Sequence, residues 1–145
     1  MVSEQADPGS QTGLTGTHLP TITRIIDENQ LKAYAEVSGD HNPIHLDLAF
    51  AESTQFGGII AHGMLTLAFV SEMMTVAFGT DWLASGSLKV RFKGAAYVGD
   101  KLETWGTVTK RESAGSHTLV TCSVGLKKSR DGQELISGNA TVRAA

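Results

Sequence analysis

Apolar residues crowd the chain between Gly57 and Phe78 at helical spacing. Leu65, Ala68, Phe69, Met73 and Val76 fall on one stripe, and Leu67, Val70 and Met74 widen it. The pattern predicts a helix from about His62 to Phe78, buried on most sides, with Gly79 as its stop. His62, Ser71 and Glu72 interrupt the run. A bilayer span of roughly 20 residues tolerates such groups poorly, so the segment reads as a core helix.

After Gly79 the period changes from helical to two. In Leu88-Lys89-Val90-Arg91-Phe92-Lys93 apolar residues alternate with basic ones. Residues 101–111, 117–127 and 134–143 are three more strand-like runs, joined by hairpin turns at residues 113–116 and at Asp131-Gly132. Ahead of the long helix, residues 21–26 read as a short strand. Asp27 then caps a helix through Leu31, Tyr34 and Ala35, with Gln30 completing a capping box. That helix stops by Ser38-Gly39, and Pro43 forbids its continuation. Asp47 caps a second short helix through Leu48, Phe50 and Ala51. The plan is one strand, two short helices, one long apolar helix and four strands in succession. It predicts an α+β domain with a mostly antiparallel sheet wrapped around the central helix.

Composition narrows the function classes. The 145 residues make one domain, large enough for a core without staples. Apolar residues are 41% and charged residues 19%, the mix of a soluble globular protein, with no membrane segment. Twelve Lys and Arg against 15 Asp and Glu leave no basic excess to attract nucleic acid. The single cysteine, Cys122, forms no internal disulfide and fits a reducing compartment, read as the cytoplasm. Residues 1–18, rich in Gly, Ser, Thr and Gln, read as a flexible tail without secretory-signal features. Residues 19–145 are the expected domain.

The unusual chemistry sits in Ser38-Gly39-Asp40-His41-Asn42-Pro43-Ile44-His45. Asp40 and His45 lie on either side of the Asn42-Pro43 turn, which can aim both side chains at one point. A carboxylate and an imidazole facing one water can divide the acid and base tasks of adding or removing it, and either could be the base. The second segment, Phe56 to Met64, opens the long helix. The first N–H groups of a helix lack internal partners, and Gly63 lets a ligand oxygen approach them, as an oxyanion hole requires.

S-G-D-x-N-P-x-H followed by A-H-G at the head of a long apolar helix resembles the MaoC-like (R)-specific enoyl-CoA hydratases of the hot-dog fold. The likeness runs from about Ile22 to Val142. It implies that Asp40 and His45 hold the water that adds to the double bond, and that Asn42 shapes the site. It also implies that the Gly63 N–H binds the thioester oxygen. The activity it implies is hydration of a 2-trans-enoyl-CoA to the (R)-3-hydroxyacyl-CoA, or the reverse dehydration, in fatty acid metabolism. It further implies a homodimer or higher oligomer and no cofactor, with CoA as part of the substrate. The chain departs from the family at Ala95 and Val98, where many members carry prolines, in a segment that shapes the acyl channel.

Other readings of the same residues are structural. Asp40 and Asn42 can serve as turn formers, His45 as a satisfied structural histidine and Gly63 as a close-packing residue. His62 reads as a capping or hydrogen-bonding residue that shapes the site. His41 and His45 have the spacing of helical zinc ligands, but Pro43 lies between them, so no metal site is expected. Cys122 reads as a small buried residue, Met64, Met73 and Met74 as core and pocket lining, and His18 and His117 as solvated. Lys89, Arg91 and Lys93 fall on one strand face, either solvated or in contact with CoA phosphates. Two competing functions remain: a hot-dog thioesterase, whose acid on the central helix would be Glu72, and a non-catalytic acyl-thioester-binding subunit.

Overall fold

The structure, a computed structural model, describes residues 17–145. Its elements are β1 (Thr23–Ile25), α1 (Glu28–Ser38), a 3-10 turn (Pro43–His45), α2 (Leu48–Glu52), α3 (Gly63–Phe78), α4 (Thr80–Ser85), β2 (Ser87–Phe92), β3 (Lys101–Ala114), β4 (His117–Lys128) and β5 (Glu134–Ala144). One antiparallel sheet in the order β1-β3-β4-β5-β2 packs against α3. This is the α+β, hot-dog arrangement that the pattern and the resemblance imply.

Local chemistry accounts for most boundaries. The Asp27 side chain accepts the Gln30 N–H at 2.8 Å and so starts α1. Only that half of the expected capping box forms, since Gln30 Oε1 is buried without a partner among the described residues. Gly39 ends α1 at φ 78°, a conformation that a Cβ would strain. Asp47 caps α2 through the Phe50 N–H at 3.2 Å.

Alternating residues of the three long strands supply the core: Leu102 and Val108 from β3, Val120, Val124 and Leu126 from β4, and Ile136, Ala140 and Val142 from β5. They meet Leu65, Phe69, Val70, Met73 and Met74 of α3. Each buried Val, Leu, Ile, Phe or Met side chain contributes about 1.5–3 kcal/mol, so this face of α3 is fixed by packing.

Several expectations are corrected. The helix from His62 is buried on one side, not most: Met64 and Val76 are each 60% exposed and Ala68 is exposed, because the sheet covers only one face of it. Met64 is therefore not core, whereas Met73 and Met74 are fully buried. The two expected hairpins join β3 to β4 and β4 to β5, and the remaining strand of the four is placed by a longer connection. β2 pairs with β5, Val90 opposite Gly138, and residues 93–100 cross to β3, whose outer edge is held by β1. Hairpin loops are two to five residues long, and this connection is longer. α4 is an additional element between Gly79 and β2. Of the expected tail, residues 1–16 lie outside the described residues. Thr17 and His18 already join the sheet: Val108 N–H donates to Thr17 O at 2.9 Å, and His18 bridges to Thr107. No helix among the described residues is long and apolar enough to cross a membrane.

Candidate functional site

The loop from Ser38 to His45 is built by short polar side chains, each satisfying the backbone two residues on. Ser38 Oγ accepts the Asp40 N–H at 3.1 Å, Asp40 Oδ1 accepts the Asn42 N–H at 3.2 Å, and Asn42 Oδ1 accepts the Ile44 N–H at 3.1 Å. Such Asx and Ser turns hold a loop without help from a ladder. Pro43 then starts the 3-10 turn that carries His45 inward. Asn42 thus holds the backbone of the loop ahead of His45.

His45 is the anchored member of the pair. Its Nδ1 lies 2.7 Å from the Ile60 carbonyl, which only accepts, so Nδ1 carries the proton. The lone pair of neutral His45 is therefore on Nε2, and Nε2 faces Asp40 Oδ2 at 3.9 Å. The His45 side chain is 10% exposed and that of Asp40 is 51% exposed. A gap of 3.9 Å is too long for a direct hydrogen bond and suits one water bonded to both.

His62 precedes α3 and lies beneath the pair. Its Nε2 is 3.0 Å from the Asp40 carbonyl, and its ring stacks on His45 with centroids 3.9 Å apart. Burial holds its pKa below the usual 6.5, and neighbouring His45 pushes the same way, against the contact with Asp40. It makes no side-chain bond to the helix it precedes, so its expected capping role gives way to the contact with Asp40.

Asp40, His45 and His62 together place possible ligand atoms within 4.8 Å. They suit a metal poorly. Carbonyls engage His45 Nδ1 and His62 Nε2, which leaves His45 Nε2 and His62 Nδ1 free, but these belong to stacked rings only 26° from parallel. Their in-plane lone pairs run side by side and do not converge as tetrahedral ligands must.

Gly63 opens α3 and shares with His45 a cavity of about 320 Å³, walled by Thr66, Phe92, Ala95 and Leu135. A Cβ on Gly63 would stand 3.3 Å from Phe92 Cε1, so the Phe92 ring covers the helix start. The segment ahead of Gly63 is fixed at both flanks: Ile60 N–H donates to Ile44 O at 3.3 Å and Ala61 N–H to Ala96 O at 2.8 Å. Lys89 and Arg91 are exposed on β2 and alternate with Phe92, so they face away from this cavity. Lys93 lies just past β2 and pairs with Glu134 at 3.2 Å. Within one chain the three cations do not join the site. Cys122 is fully buried in β4, its thiol pushed up to about 11 by burial.

Sequence reasoning missed the Ile60 carbonyl, Thr66, Phe92 and Tyr34, whose ring meets His62 edge-on at 4.8 Å. The period-two alternation of Leu88, Val90 and Phe92 was a usable signal for Phe92. A backbone carbonyl leaves no sequence signal.

The MaoC like domain profile matches residues 10–129. A 3-hydroxybutyryl-CoA dehydratase of Methylorubrum extorquens is 32% identical over 119 residues, covering 79% of this chain and 74% of that protein. An (R)-specific enoyl-CoA hydratase of Rhodospirillum rubrum is 31% identical over 128 residues, covering 84% and 82%. An R-hydratase of Pseudomonas aeruginosa, solved without ligand, superposes with a TM-score of 0.78 at 30% identity, covering 90% of this chain and 81% of that one. With the loop motif and the start of α3 built as described, these likenesses make the chain a member of the MaoC-like family of hot-dog hydratases and dehydratases.

Proposed function

We propose that the chain catalyses (R)-specific hydration of 2-trans-enoyl-CoA to (R)-3-hydroxyacyl-CoA, and the reverse dehydration, with Asp40 and His45 as the catalytic pair. The observation that carries this reading is the facing of His45 Nε2 and Asp40 Oδ2 across 3.9 Å. A water held there loses a proton to His45 Nε2 as its oxygen bonds to the β-carbon. The electron pair of the double bond moves through the α-carbon to the thioester oxygen, which the Gly63 N–H stabilises as an enolate. The proton taken by His45 passes to the Asp40 carboxylate, which delivers it to the α-carbon on the same face, so both groups end as they began. The thioester itself makes the β-carbon electrophilic, so the step calls for no metal or redox cofactor.

Glu72, the acid that a thioesterase reading would need, is paired with Arg24 on β1, which argues against that alternative. Lys89 and Arg91, facing away from their own cavity, would meet CoA phosphates only across the β2 edge, in a homodimer. The compartment consistent with one buried thiol is the cytoplasm. Purified protein incubated with crotonyl-CoA tests the reading. Loss of the conjugated enoyl absorbance without release of free thiol is expected. Free thiol would mean a thioesterase, and neither change would favour a non-catalytic binding subunit.

A further inference from the structure

We propose that His62 is a positioning residue for this chemistry: in its neutral Nε2–H tautomer it tethers the Asp40 backbone and backs the His45 ring, so one buried side chain sets both reacting groups. The inference rests on the hydratase reading of the site. A carbonyl only accepts, so the 3.0 Å contact with Asp40 O puts the proton of His62 on Nε2. Its Nδ1 is then an acceptor, and it is buried without a partner among the described residues. Where packing alone is at stake, a hydrocarbon ring of the same shape would serve as well or better, because it strands no acceptor. The imidazole therefore answers to something besides the core.

What it supplies is a fixed geometry for two neighbours. The Nε2–H bond holds the backbone of the residue whose carboxylate must reach the water. One face of the ring lies against His45 at 3.9 Å, while Tyr34 meets the ring edge-on at 4.8 Å. His45, already bonded to Ile60, is thus backed by a flat surface and is hindered from turning its Nε2 away from Asp40. The ionisable groups around His62 are His45, Asp40, His41 and Tyr34. Burial lowers the His62 pKa from the usual 6.5 and so favours the neutral ring, which spares His45 a like charge at stacking distance while it takes a proton.

The test combines nitrogen NMR of the histidine-labelled full chain with kinetics on crotonyl-CoA. The His62 signals are assigned by their loss in His62→Gln. At pH 7 the ring should show a protonated Nε2 and a bare Nδ1. The opposite tautomer, or an imidazolium, overturns the proposal whether or not the chain hydrates crotonyl-CoA. His62→Phe keeps a flat ring and removes the donor. It should lose ~10²-fold in kcat, the scale of an ångström misplacement, with KM little changed and the melting temperature not lowered. His62→Gln, whose amide can donate to Asp40 O, should recover part of that loss. A folded His62→Phe with wild-type kcat overturns the proposal, as does a loss carried by KM or by unfolding alone. Should His62→Phe fail to fold, the tautomer decides. Wild-type protein inert toward crotonyl-CoA would instead count against the hydratase reading.

Discussion

At the residue scale the site depends on what Gly63 lacks. Its N–H opens α3, and the nearest obstacle to a Cβ is the half-exposed Phe92 ring, which can shift by the few tenths of an ångström required. Gly63→Val should therefore fold, while its methyl groups occupy the space over the proposed oxyanion donor. Loss of one such donor costs on the order of 3 kcal/mol, or ~10²-fold in rate, measurable by the same absorbance assay. Turnover near wild type would move the oxyanion role elsewhere. Cys122 gives a prediction about pH. Its thiol is raised from 9.0 to about 11 in the folded chain, so the folded state keeps a proton that the unfolded state has released. Stability should fall between these values as pH rises. Denaturant melts should show wild type losing more stability than Cys122→Ala over that range, and parallel losses would mean that the thiol titrates normally. Asp40, Asn42, His45 and Gly63 could be singled out as candidates in the sequence, because acid, base and turn chemistry belong to residue types. The depth of His62 could not, although a histidine inside an apolar run is a signal: a buried imidazole needs a partner, and this one finds it on the Asp40 backbone.

At the scale of elements, the decisive joint is β2 against β5. Gly138 faces Val90, and a Cβ there would stand 2.1 Å from the Lys89 carbonyl and 2.7 Å from Val90 Cα. Those atoms are backbone, so β2 as a whole would have to move. Gly138→Ala should cost about 1–3 kcal/mol of stability and, by displacing Phe92, lower activity as well. Equilibrium urea unfolding of the variant checks this, and an unchanged midpoint would mean that β2 is not seated as described. Local signals read the elements well: Asp27, Gly39, Asp47 and Gly79 bound their helices as side-chain and backbone preferences dictate. They failed where distance decides. The pairing of β2 with β5 follows from the crossing at residues 93–100, and α4 is a short helix whose Trp82 is fixed by an indole bond to Ser71 at 2.9 Å. Neither leaves a local pattern.

For the whole molecule, one chain leaves surface unfinished. Among the described residues no strand pairs with the outer edge of β2, and Met64, Val76, Leu83 and Phe92 are more than half exposed. Open edges and apolar groups of this kind are ordinarily covered, which supports a dimer. The exposed side of α3 was misread from sequence for this reason: its residues are apolar as a core helix requires, but the sheet of a single chain covers only one face. Sedimentation at assay concentration should find at least a dimer. A fully active monomer would contradict the assembly, and with it any contact of Lys89 or Arg91 with CoA across the edge.

The central claim is that Asp40 and His45 act on one shared water, and a double-variant cycle on the hydration rate tests it most directly. General acid and base contributions run to ~10²–10⁴-fold, so Asp40→Asn and His45→Gln should each lose activity on that scale, with folding verified by circular dichroism. Groups that act as a unit are strongly non-additive, so the double variant should be little worse than the poorer single one. Losses that multiply fully in the double variant would mean two independent residues and no shared water.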